Sequence, residues 1–216
     1  MLMRRFLALI AALLTAAALA ACGAQTAGQT ASETQSVTSS STAKGHILVA
    51  YFSQAGEQYD VGVVEKGNTQ IIAEMIADET DADLFHMERK AAYPSKLSEL
   101  LDEAQKEQKN SARPELTAAV DNWGDYDTIF LGYPIWWGDM PMPVYTFLES
   151  YDFTGKTVIP FDTNGGSGLA DTVSAITKAC PGAAVKDGLA VSGKEAQTQQ
   201  DKAKSEVQNW LKGLGY

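Results

Sequence analysis

From residue 46 onward the chain alternates between unbroken apolar runs and segments in which apolar residues return every three or four positions. Ile47-Leu48-Val49-Ala50-Tyr51-Phe52 has no polar interruption, as expected of a central strand covered on both faces. After Asn68-Thr69, which can cap a helix, Ile72, Met75 and Ile76 fall on one helical face. Asp83 to Met87 predicts a short second strand, and Leu97, Leu100, Leu101 and Ala104 a second amphipathic helix. Thr128 to Leu131 is the third strand, with Gly132 and Pro134 expected to stop its ladder. Pro141-Met142-Pro143 opens a helix carrying Val144, Phe147 and Leu148, and Thr157 to Phe161 is a fourth strand. Leu169, Val173 and Ile176 mark the next helix, Gly188 to Val191 a weak fifth strand, and Ala203, Val207, Trp210 and Leu211 the last buried helical face. Such alternation implies right-handed crossovers and an α/β fold of three layers, a five-stranded parallel sheet with helices on both faces.

Upstream the pattern is different. Arg4 and Arg5 precede an apolar run from Phe6 to Ala21 that is too short and alanine-rich for a membrane span, so residues 1–21 read as a signal peptide. Leu19-Ala20-Ala21-Cys22 resembles the lipobox of bacterial lipoproteins, which implies acylation of Cys22 and export to a membrane surface. Residues 22–45 are rich in Ser, Thr, Gln, Ala and Gly and read as a flexible tether, leaving 46–216 as one domain. The chain has 17 Lys and Arg against 27 Asp and Glu, a net charge of −10, and losing Arg4 and Arg5 takes it to −12. That balance argues against nucleic acid and against anionic lipid as partners. With Cys22 acylated, Cys180 stands alone, so no disulfide forms within the chain, and its spacing from Ile176 and Thr177 places it on an apolar helix side. His46 and His86 are too isolated to suggest a metal ligand set.

In parallel sheets ligands bind beyond the carboxyl ends of the strands. Three strand ends carry unusual loops here. The first strand is followed by Ser53-Gln54-Ala55-Gly56, an excursion through Tyr59 to Lys66, and Gly67-Asn68-Thr69 at a helix start. Hydroxyls, glycines and free N–H groups at that point suit a phosphate monoester, although Ser, Asn and Thr before a helix can equally be a plain cap. The third strand leads into Tyr133-Pro134-Ile135-Trp136-Trp137-Gly138, where two adjacent tryptophans on one turn cannot both enter a core. At least one indole is expected to lie open as a wall for a flat ligand. The fourth leads into Thr163-Asn164-Gly165-Gly166-Ser167-Gly168, whose glycines permit close backbone approach. A phosphate cradle, an aromatic wall and a glycine rim together describe a mononucleotide with a planar ring.

These residues, with Tyr126-Asp127 and Pro160-Phe161, resemble the flavodoxin family over the whole segment from Ile47 onward. The resemblance implies strand order 2-1-3-4-5 and non-covalent FMN at the switch point between strands 1 and 3, a placement carried over with the family. It assigns the phosphate to Ser53, Asn68 and Thr69, with backbone from Gln54 and Gly67, and the ring to Pro134, Ile135, Trp136, Trp137, Gly138, Thr163, Gly165, Gly166 and Ser167, with Tyr59 covering it. One departure is that about a dozen residues split the phosphate loop between Ser53 and Gly67. Gly138-Asp139 resembles the flavodoxin turn whose peptide turns over to hydrogen-bond flavin N5 on one-electron reduction, and glycine would make that inexpensive. Asp139 and Asp162 read as solvated or capping residues, and no side chain is assigned a catalytic role.

The function implied is electron transfer on FMN, with an unidentified donor and acceptor, membrane quinones or another exported redox protein being within physical reach. A second reading is an NAD(P)H- or quinone-dependent FMN oxidoreductase on the same fold. A third is a surface binding module without flavin.

Overall fold

The computed structural model describes residues 46–216, so the expected signal peptide, Cys22 and tether lie outside the described residues. From β1 (His46–Tyr51) the chain passes through a two-stranded ribbon, β2 (Gly56–Gln58) and β3 (Gly62–Val64), into α1 (Asn68–Thr80) and β4 (Asp83–His86). It continues through α2 (Leu97–Lys109), β5 (Tyr126–Pro134), α3 (Met142–Ser150), β6 (Thr157–Asn164) and α4 (Thr172–Ala179). The last elements are β7 (Ala184–Val185), β8 (Leu189–Ser192), α5 (Gly193–Thr198) and α6 (Gln200–Leu214).

The main sheet is ordered β4-β1-β5-β6, with β7 and β8 sharing the fifth position against β6, and every pair in it is parallel. This is the expected order 2-1-3-4-5. Alternate residues of the central strands feed two cores. Leu48, Ala50, Ile129 and Leu131 pack with Leu100 of α2, Phe147 of α3 and Ile176 of α4. Val49, Phe130 and Phe161 pack on the other face with Ile72 and Ile76 of α1 and Val207 and Leu211 of α6. Full burial of a side chain such as Phe130 or Phe147 contributes roughly 1.5–3 kcal/mol, so the central strands are the rigid base on which the loops are mounted.

Four details differ from the sequence pattern. Gly132 does not stop the third strand, because its missing side chain makes room for the Phe161 ring on the neighbouring strand and the ladder runs on to Pro134. The fifth strand is broken in two opposite Pro160, whose lack of an N–H interrupts the ladder between Val158, which accepts from the Lys186 N–H, and Phe161, which registers with Leu189. The excursion after β1 contains the β2–β3 ribbon. Finally, neither Asn68 nor Thr69 caps α1; Gly67 holds the cap position, and the Ser53 hydroxyl, arriving from the end of β1, accepts the Gln70 N–H at 3.1 Å.

Candidate functional site

The carboxyl ends of β5 and β6 meet at a cavity of about 380 Å³. The Trp loop supplies Pro134, Ile135, Trp136, Trp137 and Gly138, and the β6 end supplies Thr163, Asn164, Gly165 and Ser167. Asn68 closes it at the start of α1, with Tyr59 and Gln58 from the ribbon. None of the lining residues is charged.

The two tryptophans have separate jobs. Trp136 packs edge-on against Phe52 and Tyr93, with ring centroids 5.4 and 5.3 Å away, and holds the loop to the core. Trp137 is 52% exposed, and its indole N–H donates to the Leu101 carbonyl at 2.9 Å. An open indole at the strand end is therefore present, and α2 fixes its direction. Opposite it, Tyr59 is 64% exposed and lies over the glycine loop, its Cδ1 2.9 Å from where a Cβ on Gly165 would stand.

Next to Asn68, Gly67 sits directly against the loop that follows β1. A Cβ there would lie 2.3 Å from Ser53 Oγ and 2.6 Å from the Gln54 carbonyl oxygen, so only glycine permits this approach. Among the described residues nothing accepts a hydrogen bond from the N–H groups of Ser53, Gln54 and Ala55 or of Gly67, Asn68 and Thr69. Unpaired N–H groups at a helix N-terminus, with a serine hydroxyl between them, are a receptor for an anionic oxygen cluster. Thr69 is less available than expected, because its buried hydroxyl is paired with that of Thr163 at 2.7 Å. Asn68 is held by Gln197, which donates to its Oδ1 at 2.9 Å.

The flavodoxin family model matches residues 46–213. The chain belongs to the flavodoxin family. Solved structures agree: a candidate flavoprotein from Bacteroides eggerthii is 28% identical, with a TM-score of 0.64, the match covering 80% of this chain and 99% of that one. Another, from Bacteroides uniformis, is 31% identical over 73% of this chain and 98% of its own, with a TM-score of 0.59. A Lactobacillus acidophilus flavoprotein in complex with FMN shares the fold at 23% identity, with a TM-score of 0.54 over 72% of this chain and 97% of that one. No curated protein matches the chain.

Within this flavodoxin fold, the predicted residues divide into two groups. Tyr59, Asn68, Pro134, Ile135, Trp136, Trp137, Gly138, Thr163, Gly165 and Ser167 line the cavity itself. Ser53, Gln54, Gly67 and Thr69 do not line it and cluster beside Asn68, and Gly166 turns outward with φ +114°. Leu97 and Leu101 were missed as lining residues: the sequence places them on the stripe with Leu100 and Ala104, but those two face the core while Leu97 and Leu101 form a wall. Gln58, Asn164 and Gly193 were missed as well, as was Gln197 behind Asn68, and an apolar period carries no signal for such polar or small residues.

The turn at the tryptophans revises one expectation. Trp136 and Asp139 exchange N–H···O bonds at 2.9 and 3.1 Å across Trp137 and Gly138, whose φ angles are +52° and +76°. Positive φ at both central residues marks a type I′ turn. The Asp139 N–H is thus committed, and the peptide without a backbone partner is Trp137–Gly138, one residue earlier than the Gly138-Asp139 step, its carbonyl taking only the Gln108 side-chain amide at 3.5 Å. Turning that peptide over would convert the turn to type II′, which places the glycine-type torsions on Trp137. Gly138 therefore does not ease such a turnover.

Asp139 is a structural acceptor rather than a solvated acid, taking the Met140 N–H at 2.7 Å and the Tyr145 hydroxyl at 2.9 Å. Asp162 is not solvated either. It is wholly buried, takes the Asn164 amide at 2.6 Å on Oδ1 and has no partner on Oδ2 among the described residues; burial pushes its carboxyl up to about 7. Cys180 is buried at the end of α4, and burial raises its thiol to about 11, which fits a core residue and not a nucleophile.

Proposed function

We propose that this protein binds FMN without a covalent bond and carries electrons on it outside the cytoplasm, tethered to a membrane through acylated Cys22. The observation that carries the reading is the group of unpaired N–H donors and the Ser53 hydroxyl packed around Gly67, adjoining through Asn68 an uncharged slot walled by Trp137. Those donors would hold the phosphate, and Trp137, Ile135, Tyr59 and the Gly165 backbone would bracket the ring. Bound FMN would supply one- and two-electron transfer at its ring. The protein's part is to orient it, to exclude water on the Trp136 side and, through a net negative charge, to disfavour added negative charge on the ring. A membrane quinone or another exported redox protein is the partner within reach of such an anchor.

The test is an absorption spectrum of the chain from His46 onward, with and without added FMN, followed by anaerobic addition of NADPH. A yellow protein that quenches FMN fluorescence and is not bleached by NADPH supports the carrier. Bleaching would transfer the reading to an NAD(P)H-dependent FMN oxidoreductase, and a colourless protein to a binding module without flavin.

The turn geometry adds a prediction. Gly138→Ala places a side chain where φ is +76° but where, chain neighbours aside, nothing among the described residues lies within 4 Å, so strain is the penalty. It should cost about 1 kcal/mol of stability in a denaturant titration. The separation of the two one-electron potentials of bound FMN should stay the same in a redox titration, whereas a narrowed separation would show that Gly138 does enable the peptide turnover.

A further inference from the structure

The carbonyl groups of β1 alternate in direction. Phe52 donates its N–H to Gly132 of β5 at 2.9 Å, while the Tyr51 carbonyl accepts from Met87, just beyond β4, at 2.7 Å. Ser53 is next in phase with Tyr51, so its carbonyl faces the β4 side. There β4 has ended, and the backbone after Met87 turns away, with the Glu88 N–H bonding to the His86 carbonyl. The missing ladder donor is replaced by a side chain: the Nε2–H of His86 reaches the Ser53 carbonyl at 3.1 Å. Since a carbonyl only accepts, Nε2 carries the proton in this contact. The imidazole is held in place by stacking on Tyr51, centroids 4.9 Å apart and planes 9° from parallel.

The peptide that His86 grips also bears the Gln54 N–H. No cis peptide occurs among the described residues, so that N–H points opposite to the carbonyl, away from β4 and toward β5, the side on which the cavity lies. Ser53, Gln54 and His86 border a cleft of about 210 Å³ behind the loop, with Glu88, Arg89 and Tyr93 on its other sides, so close packing does not fix the peptide from that side.

We infer that His86, outside the cavity, is a positioning residue for phosphate recognition: by holding the Ser53 carbonyl it aims the Gln54 N–H into the cradle. The inference rests on the FMN reading and deepens it, giving the site a means of preferring a phosphorylated flavin over riboflavin. His86 itself touches no ligand. It acts only through the orientation of one peptide.

The experiment measures FMN and riboflavin affinities by fluorescence quenching on the full chain and on three variants. His86→Phe keeps a ring over Tyr51 but lacks the donor, His86→Gln places an amide N–H near the position of Nε2, and His86→Asn is too short to reach it. The wild-type chain should prefer FMN. His86→Phe and His86→Asn should bind FMN about fivefold to tenfold more weakly, the range expected for one lost hydrogen bond, with riboflavin affinity unchanged. His86→Gln should recover most of the loss. Equal loss for both ligands would show a merely structural residue, and an unchanged preference for FMN in His86→Phe would overturn the inference while leaving the FMN reading intact. A wild-type chain that does not distinguish FMN from riboflavin would overturn both.

Discussion

Gly67→Ala should lower the affinity for FMN by roughly 10²–10⁴-fold, the loss expected when two or so hydrogen bonds to a charged group are removed together. The cause is local and steric. The added Cβ would stand 2.6 Å from the Gln54 carbonyl oxygen and 2.9 Å from its carbon, both backbone atoms that cannot rotate aside. The Ser53-Gln54 loop must withdraw, and Ser53 Oγ, 2.3 Å from the new atom, must leave the Gln70 N–H that it now accepts. The cradle and the helix cap are lost in one step. Riboflavin, which has no phosphate, should lose far less. Calorimetric titration of both ligands separates the cases, and FMN binding within about threefold of the wild-type value would rule out the phosphate assignment.

Asp162→Asn should change how stability depends on pH. The folded-state pKa is raised from the model-compound value of 3.8 to about 7, chiefly by burial, with the Asn164 hydrogen bond opposing. Between those values the folded chain holds a proton that the unfolded chain releases, so stability falls as pH rises through this window. Three pKa units correspond to about 4 kcal/mol, full strength being reached only above pH 7. Asp162 is wholly buried, so solvent screening does not reduce this. The neutral amide removes the penalty. Relative to the wild type, Asp162→Asn should gain stability progressively from about pH 4 to pH 7, about 10 °C in melting temperature at pH 8 for a domain of this size. Parallel curves for the two proteins across that range would show that the carboxyl finds a partner when ionised.

Most of the sheet could be read from the sequence because its central strands are covered on both faces. Val49, Phe130, Ile159 and their neighbours must all be apolar, and the runs stand out without any period. The site loops could be read because glycine and tryptophan at strand ends are uncommon for a purely structural purpose. The β2–β3 ribbon could not, since strands of three residues, one of them Gly-Glu-Gln, have no period to detect. Leu97 and Leu101 were hidden for the opposite reason: they obey the helical period and so look like core. Asp162 was misread because a carboxylate beside a loop suggests solvent, whereas the strand extends past it and its side chain lies on the covered face beside Tyr133. The cap of α1 comes from Ser53, a long-range contact outside the reach of a local motif.

The ribbon that holds Tyr59 over the slot is separate from the main sheet and is fastened to α2 by Glu57, whose carboxylate accepts the Leu97 N–H at 2.9 Å while its own N–H donates to Ser95 at 3.0 Å. Tyr59 and the Leu97 end of the leucine wall are thereby coupled across two chain segments some forty residues apart. Release of a cargo from beneath Tyr59 would have to loosen this clasp, so the deuterium uptake of the Leu97 amide becomes a clock for how long the cargo stays.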